Sequence, residues 1–149
     1  MRRPFRFRWD LWGEGIIRVL IVEDRDAFAG FLRVVAAGCG YEPRILQLRE
    51  RFEDVVSDWN PDIVVLDILM PERDGIELIG ALAEAAYGGQ LILVSGAEEF
   101  YLTMAAKHAH DRGLALSATL RKPCRAEELR QALRKAGASV LKQNGGVGE

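Results

Sequence analysis

Three apolar runs and one further predicted strand in this chain each stop at residues that can do chemistry. Val19-Leu20-Ile21-Val22 stops at the acidic pair Glu23-Asp24, and Ile63-Val64-Val65-Leu66 stops at Asp67. Leu91-Ile92-Leu93-Val94 stops at Ser95-Gly96, and residues 116–121 stop at Lys122-Pro123. Short apolar, β-branched runs read as strands buried on both faces. In open α/β sheets, chemistry collects at the carboxyl ends of the strands. Three carboxylates, a hydroxyl and an amine thus converge on one edge of a sheet. Clustered carboxylates repel one another unless a cation joins them. Hard oxygen donors of this kind suit Mg2+, which keeps waters and shares a phosphate oxygen. Lys122 is a compact charge suited to a phosphoryl oxygen, and Ser95 can donate one hydrogen bond to the same group. A nucleophile, a metal and a charge clamp are most of what phosphoryl transfer needs beyond positioning. Singly, each residue has a plainer reading, since a strand-end aspartate also caps helices and turns. The four strand ends together favour the chemical one.

The segments between these ends must position them. A helix over residues 26–37, which Asp26 can cap, carries an apolar stripe of Phe28, Phe31, Leu32 and Val35 and ends at Gly38 and Gly40. A weaker strand over 44–48 follows, then a helix over 51–59 stopped by Asn60-Pro61. Pro71 breaks the chain after Asp67, and Asp74-Gly75 turns it into a helix over 75–86. Further helices are predicted over 98–112 and 126–136. The order is β-α repeated five times. Connections too long for hairpins predict an α/β, doubly wound (βα)5 sandwich, with a five-stranded parallel sheet and helices on both faces. The predicted organisation is an N-terminal extension over 1–15, one domain over 16–137 and a flexible C-terminal tail over 138–149.

Composition narrows the function classes. A length of 149 residues suits one domain with a sizeable core. Hydrophobic residues at 49% and charged residues at 28% fit a soluble globular chain. A formal net charge of −2 argues against a chain built mainly for nucleic acid or a membrane surface. No apolar run approaches a membrane span, and the first strand lacks the flanks of a signal peptide, so a cytoplasmic location is expected. Cys39 and Cys124 have no close partner in sequence and read as buried or half-buried thiols. Phe5-Arg6-Phe7-Arg8-Trp9 alternates aromatic and basic residues, a pattern that can grip single-stranded nucleic acid. So short a segment ahead of the first strand reads instead as a leader. His108 and His110 lie two apart on a helix, share no face, and read as solvated.

On the motifs Val22-Glu23-Asp24, Leu66-Asp67-Ile68-Leu69-Met70-Pro71 with Asp74-Gly75, Ser95-Gly96-Ala97 and Lys122-Pro123, the sequence resembles the receiver domain of bacterial two-component response regulators. The resemblance covers about residues 18–137 and implies the flavodoxin-like strand order 2-1-3-4-5. It implies that Asp67 is the phosphoacceptor, attacking a phosphohistidine on a sensor histidine kinase or phosphotransfer protein. Asp24 and Asp67 would bind Mg2+ directly, Glu23 would act through water, and the Leu69 backbone carbonyl would be a further ligand. Ser95 and Lys122 would contact the phosphoryl group, Gly96 would leave room for it, and the Lys122-Pro123 bond would be cis. Leu69 and Ala97 would flank the phosphoryl group, and neither side chain can hydrogen-bond. The implied output is altered binding to a downstream protein partner or to a second copy in a homodimer. The domain would be a signalling module that assists its own phosphorylation and dephosphorylation rather than an enzyme, with no membrane and no direct nucleic-acid contact.

The sequence departs from the family pattern at several points. An aromatic residue usually stands three before the lysine, where this chain has Thr119 as its switch position, so the usual serine-aromatic switch is not expected. Cys124 follows Lys-Pro at a position that is usually aromatic. The span from Ser95 to Lys122 is longer than usual by roughly one helical turn, and residues 95–123 are similar to receivers attached to cyclic-dinucleotide signalling domains. Rival readings fit less well. An aspartyl phosphatase of the haloacid dehalogenase type needs a second Asp where Leu69 stands. A flavin carrier needs a hydroxyl-rich phosphate loop where Glu23-Asp24 would repel phosphate. A receiver fold that no longer takes phosphate is disfavoured by the intact acidic pair, Asp67 and Lys122. No output domain follows residue 137, so the chain is expected to be a stand-alone receiver or a piece of a longer regulator or hybrid kinase.

Overall fold

Strand and helix alternate through the chain: β1 (Arg18–Val22), α1 (Asp26–Gly38), β2 (Glu42–Ile45), α2 (Phe52–Trp59), β3 (Ile63–Asp67), α3 (Gly75–Glu84), β4 (Gln90–Ser95), α4 (Glu99–Asp111), β5 (Ala115–Arg121) and α5 (Ala126–Gly145). This is a computed structural model that describes residues 15–96 and 98–145. The extension expected over 1–15 thus lies, but for Gly15, outside the described residues, and so does Ala97. The strands form one parallel sheet in the order β2-β1-β3-β4-β5. It is the doubly wound (βα)5 arrangement, with the strand order that the resemblance implies.

Successive side chains on a strand point to opposite faces, and this alternation sorts the core into two layers. Leu20, Val22, Val64, Leu66, Leu91 and Leu93 pack against Phe52, Leu78, Leu82 and Leu102 from α2, α3 and α4. Val19, Ile21, Ile63, Val65, Ile92 and Val94 pack against Leu32, Val35, Leu129 and Leu133 from α1 and α5. β3 and β4 are buried along their whole length, and β1 is buried from Val19 onward. That double burial is why these runs lack polar alternation. Burying one such side chain stabilises by about 1.5–3 kcal/mol, so the three central strands dominate the sheet. The edge strands β2 and β5 are only partly covered.

Two elements differ from their sequence expectation. β2 begins at Glu42, not near residue 44, because it must pair from the start of β1, with Arg18 opposite Glu42 and Ile21 opposite Ile45. Leu46 still donates its N–H to the Ile21 carbonyl at 2.9 Å, but the chain then turns and Leu48 is exposed. The apolar Leu46 and Leu48 had drawn the expected strand too far along. The second difference is α5, which continues to Gly145 and replaces most of the tail expected from residue 138. Its buried stripe of Leu129, Ala132, Leu133, Ala136 and Val140 keeps helical spacing straight through Gly137. Gly137 is a close-approach residue instead of a stop, because a Cβ there would collide with the Tyr41 ring and hydroxyl. Asp26 is the first residue of α1 rather than its cap.

The loops at the carboxyl end of the sheet are tied to one another. Arg73 donates to the carbonyls of Gln47, Leu48 and Glu50 at 2.8, 3.0 and 2.9 Å, which fastens the β3–α3 loop to the β2–α2 turn. The Asp74 carboxylate accepts from the Ile76 N–H at 2.9 Å and caps α3. Leu69 and Asp74 pair in an isolated antiparallel bridge that closes the loop on itself. At Gly75 a Cβ would run into the backbone of Ile68, whereas at Gly30 in α1 nothing lies within 4 Å of the added carbon. Gly75→Ala is therefore expected to destabilise by about 1–3 kcal/mol through overpacking. Gly30→Ala should stabilise by about 0.4–1 kcal/mol, because it restricts the unfolded chain at no cost in the native one. Urea midpoints of the two variants check this, and equal shifts in the same direction would contradict it.

Candidate functional site

The β1–β3 register decides the site. Val22 lies opposite Leu66, so the residues that follow the two strand ends emerge side by side. One carboxylate oxygen from each of Glu23, Asp24 and Asp67 lies within 4.8 Å of the others, in the single such acidic group among the described residues. Glu23 and Asp67 are buried, while Asp24 is exposed. Lys122 follows the last residue of β5, and its Nζ donates to Glu23 Oε1 at 2.7 Å and to Asp67 Oδ2 at 3.1 Å. To do so its side chain passes the end of β4. The Lys122 N–H is anchored there on the Ser95 carbonyl at 2.9 Å. A Cβ on Gly96 would sit 3.8 Å from Lys122 Cβ, so Gly96 lies alongside the lysine stem. The Lys122-Pro123 bond is cis.

Charge is unevenly managed. Burial pushes the Glu23 carboxyl above the ordinary glutamate range, and the Asp67 charge pushes the same way. The Lys122 hydrogen bond and the Arg25 N–H, which donates to Glu23 Oε2 at 3.0 Å, pull partly back. Asp67 Oδ1 accepts from the Leu69 N–H at 3.1 Å. All three acidic groups offer hard oxygens, two of them in a buried setting where a cation replaces lost water, and this donor set fits Mg2+. Beside it lies an open cleft of about 580 Å³ lined by Arg25, Phe28, Phe31, Asp67, Leu69, Gly96, Lys122, Pro123 and Cys124.

The sequence-derived residues fall as follows. Glu23, Asp24, Asp67 and Lys122 come together directly. Ser95 is fully buried at the end of β4, and Gly96 is on the cleft. The Leu69 side chain is 62% exposed at the mouth. Ala97 lies outside the described residues. Thr119 is exposed on β5, opposite Leu93 and outside the cleft lining. His108 and His110 are on α4, away from the acidic group. Cys39 and Cys124 are free, half-buried thiols, and burial raises the Cys124 thiol. Sequence reasoning missed Phe28, assigned only to the core stripe of α1. Its ring lies 4.5 Å from Lys122 Nζ. The available signal was its place in the first turn of the helix after Asp24, because side chains there tilt toward the helix N-terminus.

Comparison with known proteins agrees with this fold. Residues 19–134 match the response regulator receiver domain model. A protein-glutamate methylesterase/protein-glutamine glutaminase of Myxococcus xanthus is 33% identical over 62% of this chain and 28% of its own length. The uncharacterized transcriptional regulatory protein YesN of Bacillus subtilis is 28% identical over 85% of this chain and 34% of its own. The chain thus spans about a third of these relatives. A solved response regulator from Colwellia psychrerythraea is 30% identical, with a TM-score of 0.70 over 87% of this chain and 99% of the other.

The charge balance can be checked directly. In the metal-free protein the Glu23 carboxyl should titrate above the ordinary glutamate range, because burial is the largest influence on it. Lys122→Met should move it higher still, since the ammonium stabilises the charged form. Side-chain carboxyl carbon shifts followed against pH read both values. A Glu23 titration at or below the ordinary range, or a downward move in Lys122→Met, would contradict the account.

Proposed function

The chain belongs to the response regulator receiver family, and from that premise we propose that it accepts a phosphoryl group on Asp67 from a sensor histidine kinase or phosphotransfer protein. The observation that carries this is the Asp67 carboxylate, buried at the end of β3, bonded by Lys122 and adjoining two further carboxylates. In the transfer, a carboxylate oxygen of Asp67 attacks phosphorus, the P–N bond to the donor imidazole breaks, and the imidazole leaves with a proton from solvent. The Lys122 ammonium holds the transferred oxygens next to Asp67. Ser95 donates its hydroxyl hydrogen to the same group, and Gly96 leaves the approach open. Mg2+ held by Asp24, Asp67 and the Leu69 carbonyl, with Glu23 acting through water, would neutralise charge on the phosphoryl oxygens.

Incubation with Mg2+ and a small phosphodonor should add one phosphoryl group, read by intact mass. Asp67→Asn should abolish the gain, and continued stoichiometric labelling of that variant would sink the assignment. Asp24→Ala should weaken Mg2+ binding, because a direct carboxylate ligand is lost. An unchanged metal titration would count against that role.

Phosphorylation would alter binding to a downstream protein or a second copy through the face of α4, β5 and α5. Phe100, Tyr101 and Met104 stand exposed on α4, at 65%, 53% and 52%, and give that helix an apolar surface. Thr119 is too small to gate the face by swinging a ring. Thr119→Ala should therefore change phosphorylation-dependent association less than Ser95→Ala does. Sedimentation of the phosphorylated variants, alone and with a candidate partner, measures this, and the reverse ranking would overturn it.

A further inference from the structure

We infer that Phe28 is a positioning residue for the proposed phosphoryl transfer, its ring face holding the Lys122 ammonium where it can move from Glu23 to a phosphoryl oxygen. The inference rests on Asp67 as phosphoacceptor. An ammonium has three N–H donors, and Glu23 and Asp67 engage two of them at 2.7 and 3.1 Å. The Phe28 ring is the third contact, 4.5 Å from Nζ to the centroid, well inside cation–π range. Lys122 is only 18% exposed, and loss of water strengthens such a contact.

Placement supports the same role. Phe28 is the third residue of α1, whose N-terminus faces the carboxyl end of the sheet. Helical Cβ atoms tilt toward the N-terminus, so a first-turn side chain leans toward the site. Phe31 backs the ring at 5.6 Å between centroids. Hydrogen bonds to carboxylates are directional, and transfer requires Lys122 to give one up. A ring face attracts the charge over a broad area. The ammonium therefore stays held while it exchanges the Glu23 oxygen for a phosphoryl oxygen.

The test compares Phe28→Leu, which keeps apolar bulk without a ring, with Phe28→Tyr, which restores the ring. Labelling by phosphoramidate with Mg2+ should slow roughly tenfold in Phe28→Leu and recover most of the parent rate in Phe28→Tyr. Mg2+ affinity should stay within about twofold of the parent, because the contact the ring makes at the site is with the ammonium. In the unmodified parent, the Lys122 ε-methylene protons should show an upfield ring-current shift that Phe28→Leu removes. Equal rates in the parent and Phe28→Leu, equal impairment of the Leu and Tyr variants, or no ring-current shift in the parent would each overturn the inference. A parent that takes no label at Asp67 would remove the phosphoacceptor reading, and this inference with it. The ring-current shift, which needs no transfer, tells that failure apart from a misplaced ring.

Discussion

Two carboxylates buried side by side at neighbouring strand ends need a counter-charge, and much of the architecture follows from that need. Glu23 and Asp67 are brought together by the β1–β3 register, which the buried apolar runs of both strands enforce. Their cation comes from β5, which is not next to β3 in the sheet. Lys122 must reach past the end of β4, and only a long, unbranched side chain running beside a glycine makes that crossing. The partners are 99 and 55 residues away in sequence, so the site exists only when the whole sheet has formed. Removing one partner of a buried ion pair typically costs about 3–5 kcal/mol, so Lys122 helps hold the sheet ends together whatever its chemistry.

One ammonium does not balance three carboxylates. When all are ionised the cluster keeps a surplus of two negative charges, the charge that one divalent cation cancels. Burial, with the Asp67 charge adding to it, makes Glu23 hold its proton more tightly than an ordinary glutamate. A proton on Glu23 would remove negative charge next to a bound cation, so acid should weaken Mg2+ binding. The tied loops around the cluster serve this balance. Arg73 fastens two of them, and the Asp74 cap with Gly75 fixes the start of α3. The loop after Asp67 is thus held in the shape that brings the Leu69 N–H to the carboxylate.

How much of this was legible in the sequence depends on the range of the interaction. The central strands and their terminal residues were readable because double burial writes itself into unbroken apolar runs. The Asp74-Gly75 turn was readable because capping is local. β2 was misplaced because an edge strand takes its register from its neighbour and not from its own apolarity. α5 was cut short at Gly137 because a glycine that admits Tyr41 looks, in one dimension, like a helix stop. Phe28 was read as core for a similar reason. Its apolar stripe is real, since it packs with α1 and α5, but the same ring also meets a charge 94 residues away in sequence, at a distance of 4.5 Å, which no local pattern records.

The two sides of Asp67 differ in a way that suits the proposed chemistry. On one side Asp24 is exposed, so a cation bound there can keep waters, as Mg2+ prefers. On the other, Lys122 sits among two carboxylates and an aromatic ring with little solvent contact, and Pro123 and Cys124 continue the lining. Electrostatic attraction is stronger where water is excluded. A hydrated cation would therefore suit the Asp24 side, and the fixed, protein-borne charge lies on the Lys122 side. A phosphoryl group on Asp67 would lie between them, with its oxygens divided between a cation that exchanges with solvent and an ammonium that the fold supplies.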